Sequence, residues 1–132
     1  MVVATICGTA GVGKTTLALY WAHQIAHQFP DGQLFVNLRG FDSRGTPVST
    51  AAAVRGFLDA LEVPPHRIAA DMPAQTALYR SLLAERRMLI VLDNVRDTDQ
   101  IRLLLPGSPG SLVLVTSRDP LTGLVATEAA TR

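Results

Sequence analysis

Gly8-Thr9-Ala10-Gly11-Val12-Gly13-Lys14-Thr15 matches G-x-x-x-x-G-K-[ST] at every fixed position. The stretch before it, Val2 to Cys7, is almost wholly apolar, and the stretch after Lys14 reads as a helix. Strand, glycine loop and helix in that order suit phosphate binding, because phosphates meet backbone N–H groups at a helix N-terminus. Glycines allow positive φ and close backbone approach. Lys14 is expected to bring a cation to the β- and γ-phosphates, and Thr15 a hydroxyl to Mg2+.

Outward from that loop, the chain alternates apolar strands with helices. Val2 to Cys7 has the unbroken apolar character of a strand buried on both faces of a parallel sheet. The first helix is expected from Lys14 to about Gln28, with Leu17, Trp21, Ile25 and Gln28/Phe29 as its buried stripe and Trp21 in the core. Phe29-Pro30-Asp31-Gly32 stops it. His23 and His27 lie four apart on this helix with no patterned carboxylate or cysteine, so they read as a solvated face. Gln33 to Leu38 is the second strand, and the polar loop Arg39–Pro47 follows on the edge where parallel sheets bind ligands. Arg39, Asp42 and Arg44 read as solvated charges of that loop.

Ser49 or Thr50 is expected to cap a second helix that buries Val54, Phe57, Leu58 and Leu61. Asp71 caps a third, with Pro73 in its first turn and Leu78, Leu82 and Leu83 facing inward. Met88 to Asp93 is the third strand, ending on a carboxylate. Asn94 to about Leu105 reads as a short amphipathic helix. Ser111 to Thr116 is the fourth strand, followed by Ser117-Arg118. Gly123 to Arg132 is Ala/Thr-rich and is expected to fray. Four strands alternating with helices predict an α/β fold: a parallel sheet of at least four strands with helices on both faces.

The 132 residues suffice for one domain, and 48% hydrophobic with 17% charged residues is a globular balance. A net charge of +1 gives no basic field, so no direct nucleic-acid contact is expected. Cys7 is the single cysteine, which excludes an intrachain disulfide and fits a reducing cytoplasm. It is expected to pack as a small apolar residue. No apolar run approaches the roughly 18 residues of a spanning helix, and no membrane partner is expected. The N-terminus lacks the basic region of a signal peptide.

Three groups fall at the carboxyl ends of three strands: residues 8–15, Asp93, and Thr116-Ser117-Arg118. An apolar strand ending in Asp downstream of a phosphate loop is the place for a Mg2+ partner. Thr15 and Asp93 are therefore the metal candidates, and Lys14, Asp93 and Arg118 the catalytic ones. Arg118 is suited to a bidentate contact with the terminal phosphate. Asn94 follows Asp93 where an acidic residue would activate water, and an amide is no base. Binding with slow turnover, at most a slow ATPase, is expected. Two other readings stay open: a small-molecule kinase, with Arg39–Pro47 as its lid, and a non-binding interaction fragment.

Five segments in order carry a family resemblance: Thr9–Thr16, Phe29–Phe41, Leu89–Val95, Leu105–Gly110 and Val113–Arg118. They resemble the NB-ARC domain of STAND P-loop NTPases, nearest to bacterial regulators of the antibiotic-regulatory (SARP) type. The resemblance implies a three-layer P-loop NTPase fold over residues 1–132 and a slow ADP/ATP switch using Mg2+. Gly8, Gly11, Val12, Gly13, Lys14, Thr15 and Thr16 would hold the nucleotide, Asp93 would match the Walker B acid, and Arg118 the sensor of the terminal phosphate. An adenine nucleotide is the implied ligand, and self-association through this domain is implied in the ATP state. Against that pattern, the sequence lacks an adenine-contacting segment before Val2, a fifth strand and the winged-helix subdomain, as in a fragment or shortened chain. The implied sheet order puts the fourth strand between the first and third and leaves the first at an open edge, which invites association.

Overall fold

Val2–Cys7 forms strand β1, and Lys14–Ile25 forms helix α1, which tightens into a 3-10 turn over Ala26–Gln28. The computed structural model describes residues 2–7, 13–38, 48–117 and 130–131. Strand β2 (Gln33–Asn37) leads to helices α2 (Thr50–Ala60) and α3 (Met72–Leu83), and then to strand β3 (Leu89–Val95). A single turn, α4 (Thr98–Ile101), continues as a 3-10 turn to Leu104 before strand β4 (Leu112–Ser117) and a two-residue strand β5 (Ala130–Thr131). Every pairing is parallel, in the order β2-β3-β4-β1-β5.

The sheet separates two apolar layers. On one side Ile90, Leu92, Val113 and Val115 pack with Val54, Phe57 and Leu58 of α2 and Tyr79 and Leu83 of α3. On the other, Leu89, Val91 and Leu114 pack with Ala18 and Ala22 of α1. Strands buried on both faces need apolar side chains at odd and even positions alike, hence the unbroken apolar runs. The caps are those expected. The Ser49 hydroxyl accepts the Ala52 N–H at 3.1 Å, and the Asp71 carboxylate accepts the Ala74 N–H at 3.1 Å. Caps of this kind contribute about 1 kcal/mol each.

Four expectations need correction. The buried stripe of α1 is Ala18 and Ala22, with Ile25 and Phe29 partly buried against the same layer, whereas Leu17 and Trp21 are 45% and 46% exposed. Residue 17 lies about 100° around the helix from residue 18, so the large side chains form a flank. Small alanines let the helix approach the sheet. Next, β3 runs on to Val95, and the predicted helix from Asn94 shrinks to α4 and its 3-10 turn, because Asn94 adopts φ +56°. Third, Cys7 is exposed, since it ends β1 at the rim of the sheet. Fourth, a fifth strand exists. Ala130 and Thr131 pair with Val3 and Ala4, so β1 lies between β4 and β5, and the sheet ends at β2 and β5. A strand of two residues is too short to leave a periodicity to read.

Candidate nucleotide site at the carboxyl edge of the sheet

Alternation along the strands decides which side chains meet above the sheet. Leu89 and Val91 face α1, so Asp93, two residues on, continues that side. Leu112 and Leu114 also pack on the α1 layer, and Thr116 continues theirs. Leu92 pairs with Val115, which brings Asp93 beside Thr116. Thr15 stands in the first turn of α1. Its hydroxyl donates to both Asp93 oxygens, at 3.0 Å to Oδ1 and 2.8 Å to Oδ2. Thr116 donates its hydroxyl proton to Asp93 Oδ1, and its oxygen accepts the Asn94 N–H at 2.9 Å. Asp93, Thr116 and Ser117 are buried.

The backbone is specialised at two points here. Gly13, the N-cap of α1, has φ +77° with open space where a Cβ would stand, so the left-handed conformation itself requires glycine. Gly13 supplies no side-chain cap to α1, and the first N–H groups of a helix have no partner within the helix itself. Asn94 is the second point. β3 uses Asp93, Asn94 and Val95 where β4 uses Thr116 and Ser117, a bulge with Asn94 in the left-handed region. That region is tolerated by Asn better than by most residues. The Asn94 amide turns toward β2 and donates from Nδ2 to Asn37 Oδ1 at 3.1 Å.

Of the residues expected in the site, Thr15 and Asp93 are brought together, Lys14 opens α1 half-buried, and Thr16 is exposed beside them. Gly13 caps the same helix. Gly8, Gly11, Val12 and Arg118 lie outside the described residues, as does the loop 39–47 with Arg39, Asp42 and Arg44. Thr116, expected at this edge in the group with Ser117 and Arg118, contacts Asp93, and Asn37 joins the site without having been expected there. The signal for Asn37 is a polar residue closing an apolar strand in register with Asp93. His23 and His27 are exposed.

The model of the NB-ARC domain matches residues 1–130. The chain belongs to the NB-ARC family. Over 118 residues it is 49% identical to the regulatory protein AfsR of Streptomyces griseus, covering 89% of this chain and 12% of that protein. The disease resistance-like protein DSC1 of Arabidopsis thaliana is 32% identical over 118 residues, covering 86% of this chain and 9% of DSC1. This NB-ARC domain therefore spans 12% or less of the length of either relative. Cdc6p from Pyrobaculum aerophilum shares its fold, with a TM-score of 0.65 over 97% of this chain and 35% of that one, at 18% identity.

The NB-ARC match and the α/β architecture make the chain a nucleotide-binding domain of a kind found within longer regulators. The donor set at its edge is hard: one buried carboxylate and one helix-terminal hydroxyl. The described residues hold no cluster of three His, Cys, Asp or Glu, so they form no all-protein metal cage. A carboxylate with a hydroxyl suits a cation such as Mg2+, which keeps waters and takes phosphate oxygens as further ligands. Among the described residues, no helix is long and apolar enough to cross a membrane.

Proposed function

We propose that this NB-ARC domain is an ADP/ATP-dependent switch with slow hydrolysis, acting in the cytoplasm as part of a signal-responsive transcriptional regulator. The observation that carries the reading is the contact of Thr15, at the head of α1, with the buried Asp93 at the end of β3. In this reading Gly8, Gly11, Val12 and Gly13 shape a backbone cradle for the phosphates. Lys14 sets its ammonium against the β- and γ-phosphates, and Thr16 adds a hydroxyl beside them. Thr15 and Asp93 hold Mg2+, which when bound neutralises phosphate charge. Arg118 meets the terminal phosphate. Asn94 supports slow turnover: its amide has no basic lone pair at neutral pH, and it is tied to Asn37.

The domain contacts no nucleic acid directly and self-associates through its own surface. The exposed apolar side chains Leu17, Leu19, Tyr20 and Trp21 of α1 support that last point. Titration with a fluorescent ADP in Mg2+ tests the reading. Lys14→Ala is expected to weaken binding by at least tenfold, and single-turnover hydrolysis is expected below about 1 s⁻¹, under the kinase range. Binding indifferent to Lys14→Ala, or faster turnover, sinks it.

A further inference from the structure

We propose that Thr116 is a positioning residue that fixes how Asp93 presents its carboxylate to a divalent cation. The proposal rests on the nucleotide-switch reading and adds a residue to it. A threonine hydroxyl has one proton and two lone pairs. The oxygen of Thr116 is engaged by the Asn94 N–H at 2.9 Å, and the bulge at Asn94 aims that N–H. Thr116 is fully buried, so no solvent competes for its hydroxyl. The proton is thereby committed to Asp93 Oδ1.

Thr15 behaves differently. Its single proton is shared between Oδ1 at 3.0 Å and Oδ2 at 2.8 Å, so it does not distinguish the two oxygens. Thr116 does distinguish them. Among the described residues, Oδ1 receives two donors and Oδ2 one, so Oδ2 is the oxygen with more lone-pair capacity for a cation or for a water in its shell. The rotamer of Asp93 is set from β4, by a residue that itself touches neither cation nor nucleotide. Outer-shell hydrogen bonds of this kind typically change metal affinity by about 10–100-fold when removed.

The test uses the 132-residue chain and three variants, T116V, T116C and T116S. Mn2+ is the metal probe, followed by water-proton relaxation without nucleotide. Fluorescent ADP is titrated in Mg2+ and in EDTA. T116V and T116C are expected to weaken Mn2+ binding by about tenfold or more. ADP affinity in EDTA stays within about twofold of the parent, and T116S stays within about threefold of the parent for Mn2+, because serine keeps both hydrogen bonds. If T116V does not fold, the T116C and T116S pair decides. Unchanged Mn2+ affinity in T116V or T116C overturns the proposal. So does a T116S loss as large as theirs, or an equal fall of ADP affinity in EDTA. A parent that binds Mn2+ but no ADP removes the switch reading while the Mn2+ series still judges Thr116. A parent that binds neither overturns both.

Discussion

Asn94 holds a left-handed backbone conformation at φ +56°, and both its main-chain N–H and its side-chain amide are used there. A β-branched residue at such a φ is strongly disfavoured. Asn94→Val is therefore expected to lose about 2–3 kcal/mol in urea unfolding, from backbone strain and the lost bond to Asn37. Asn94→Gly relieves the strain while losing the same side-chain bond, and should stay within about 1 kcal/mol of the parent. Equal losses for Val and Gly would mean that the side-chain bond, and not the bulge, holds this corner. Asp93 was legible from sequence because an apolar run ending in a carboxylate is conspicuous. The bulge beside it was not, because a helix after a strand-end Asp and a strand continuing through a left-handed Asn have the same residue pattern until the register with β4 is known.

At the scale of elements, α3 is anchored by Tyr79. Its ring stacks on Phe57 of α2 at 5.8 Å between centroids, and its phenol donates to the Leu104 carbonyl at 2.7 Å. Burial pushes its pKa well above the ordinary value near 10, and the adjacent Arg80 opposes this more weakly. The folded phenol stays protonated where the unfolded one ionises. Its contribution is complete below pH 10 and declines as pH rises past 10, by up to about 1.4 kcal/mol per pH unit. Tyr79→Phe should cost about 1–3 kcal/mol at pH 7, by orphaning the Leu104 carbonyl, and should remove that part of the alkaline slope. Denaturant unfolding at pH 7, 10 and 11 measures both, and a slope identical in parent and variant contradicts the assignment. The caps and inward face of α2 were readable because Ser49, Val54, Phe57 and Leu58 carry strong local signals. The face of α1 departs from the pattern of its large residues because close packing on a sheet selects alanine, and the larger neighbours stay on the flank.

At the scale of the molecule, the described helices cover the two faces of the sheet unequally. α2, α3 and the turn at α4 share one layer, while α1 packs alone among the described helices on the other. The expected open edge at β1 is filled by β5, and exposed apolar side chains lie instead on α1. Tyr20 is 60% exposed, and Leu17 and Trp21 share its flank of the helix. From Thr15 to Pro30 the sequence has no Asp, Glu, Lys or Arg. A two-fold contact sets each residue near its own copy, so an uncharged aromatic flank meets no like-charge repulsion, and aromatic, charge-poor surfaces are enriched at interface cores. One helix flank is small beside the roughly 1,200 Å² of a stable interface, so a dimer through it is expected to be weak. Sedimentation velocity is expected to show monomer near 1 µM and a rising dimer fraction above about 100 µM, consistent with such a small contact. Replacing Tyr20 with Ser and Trp21 with Gln should abolish that rise. Because neither side chain packs in the core, unfolding stability should shift by no more than about 0.5 kcal/mol. A parent that stays monomeric throughout, or a dimer unmoved by the double variant, would mean that α1 does not pair with its own copy.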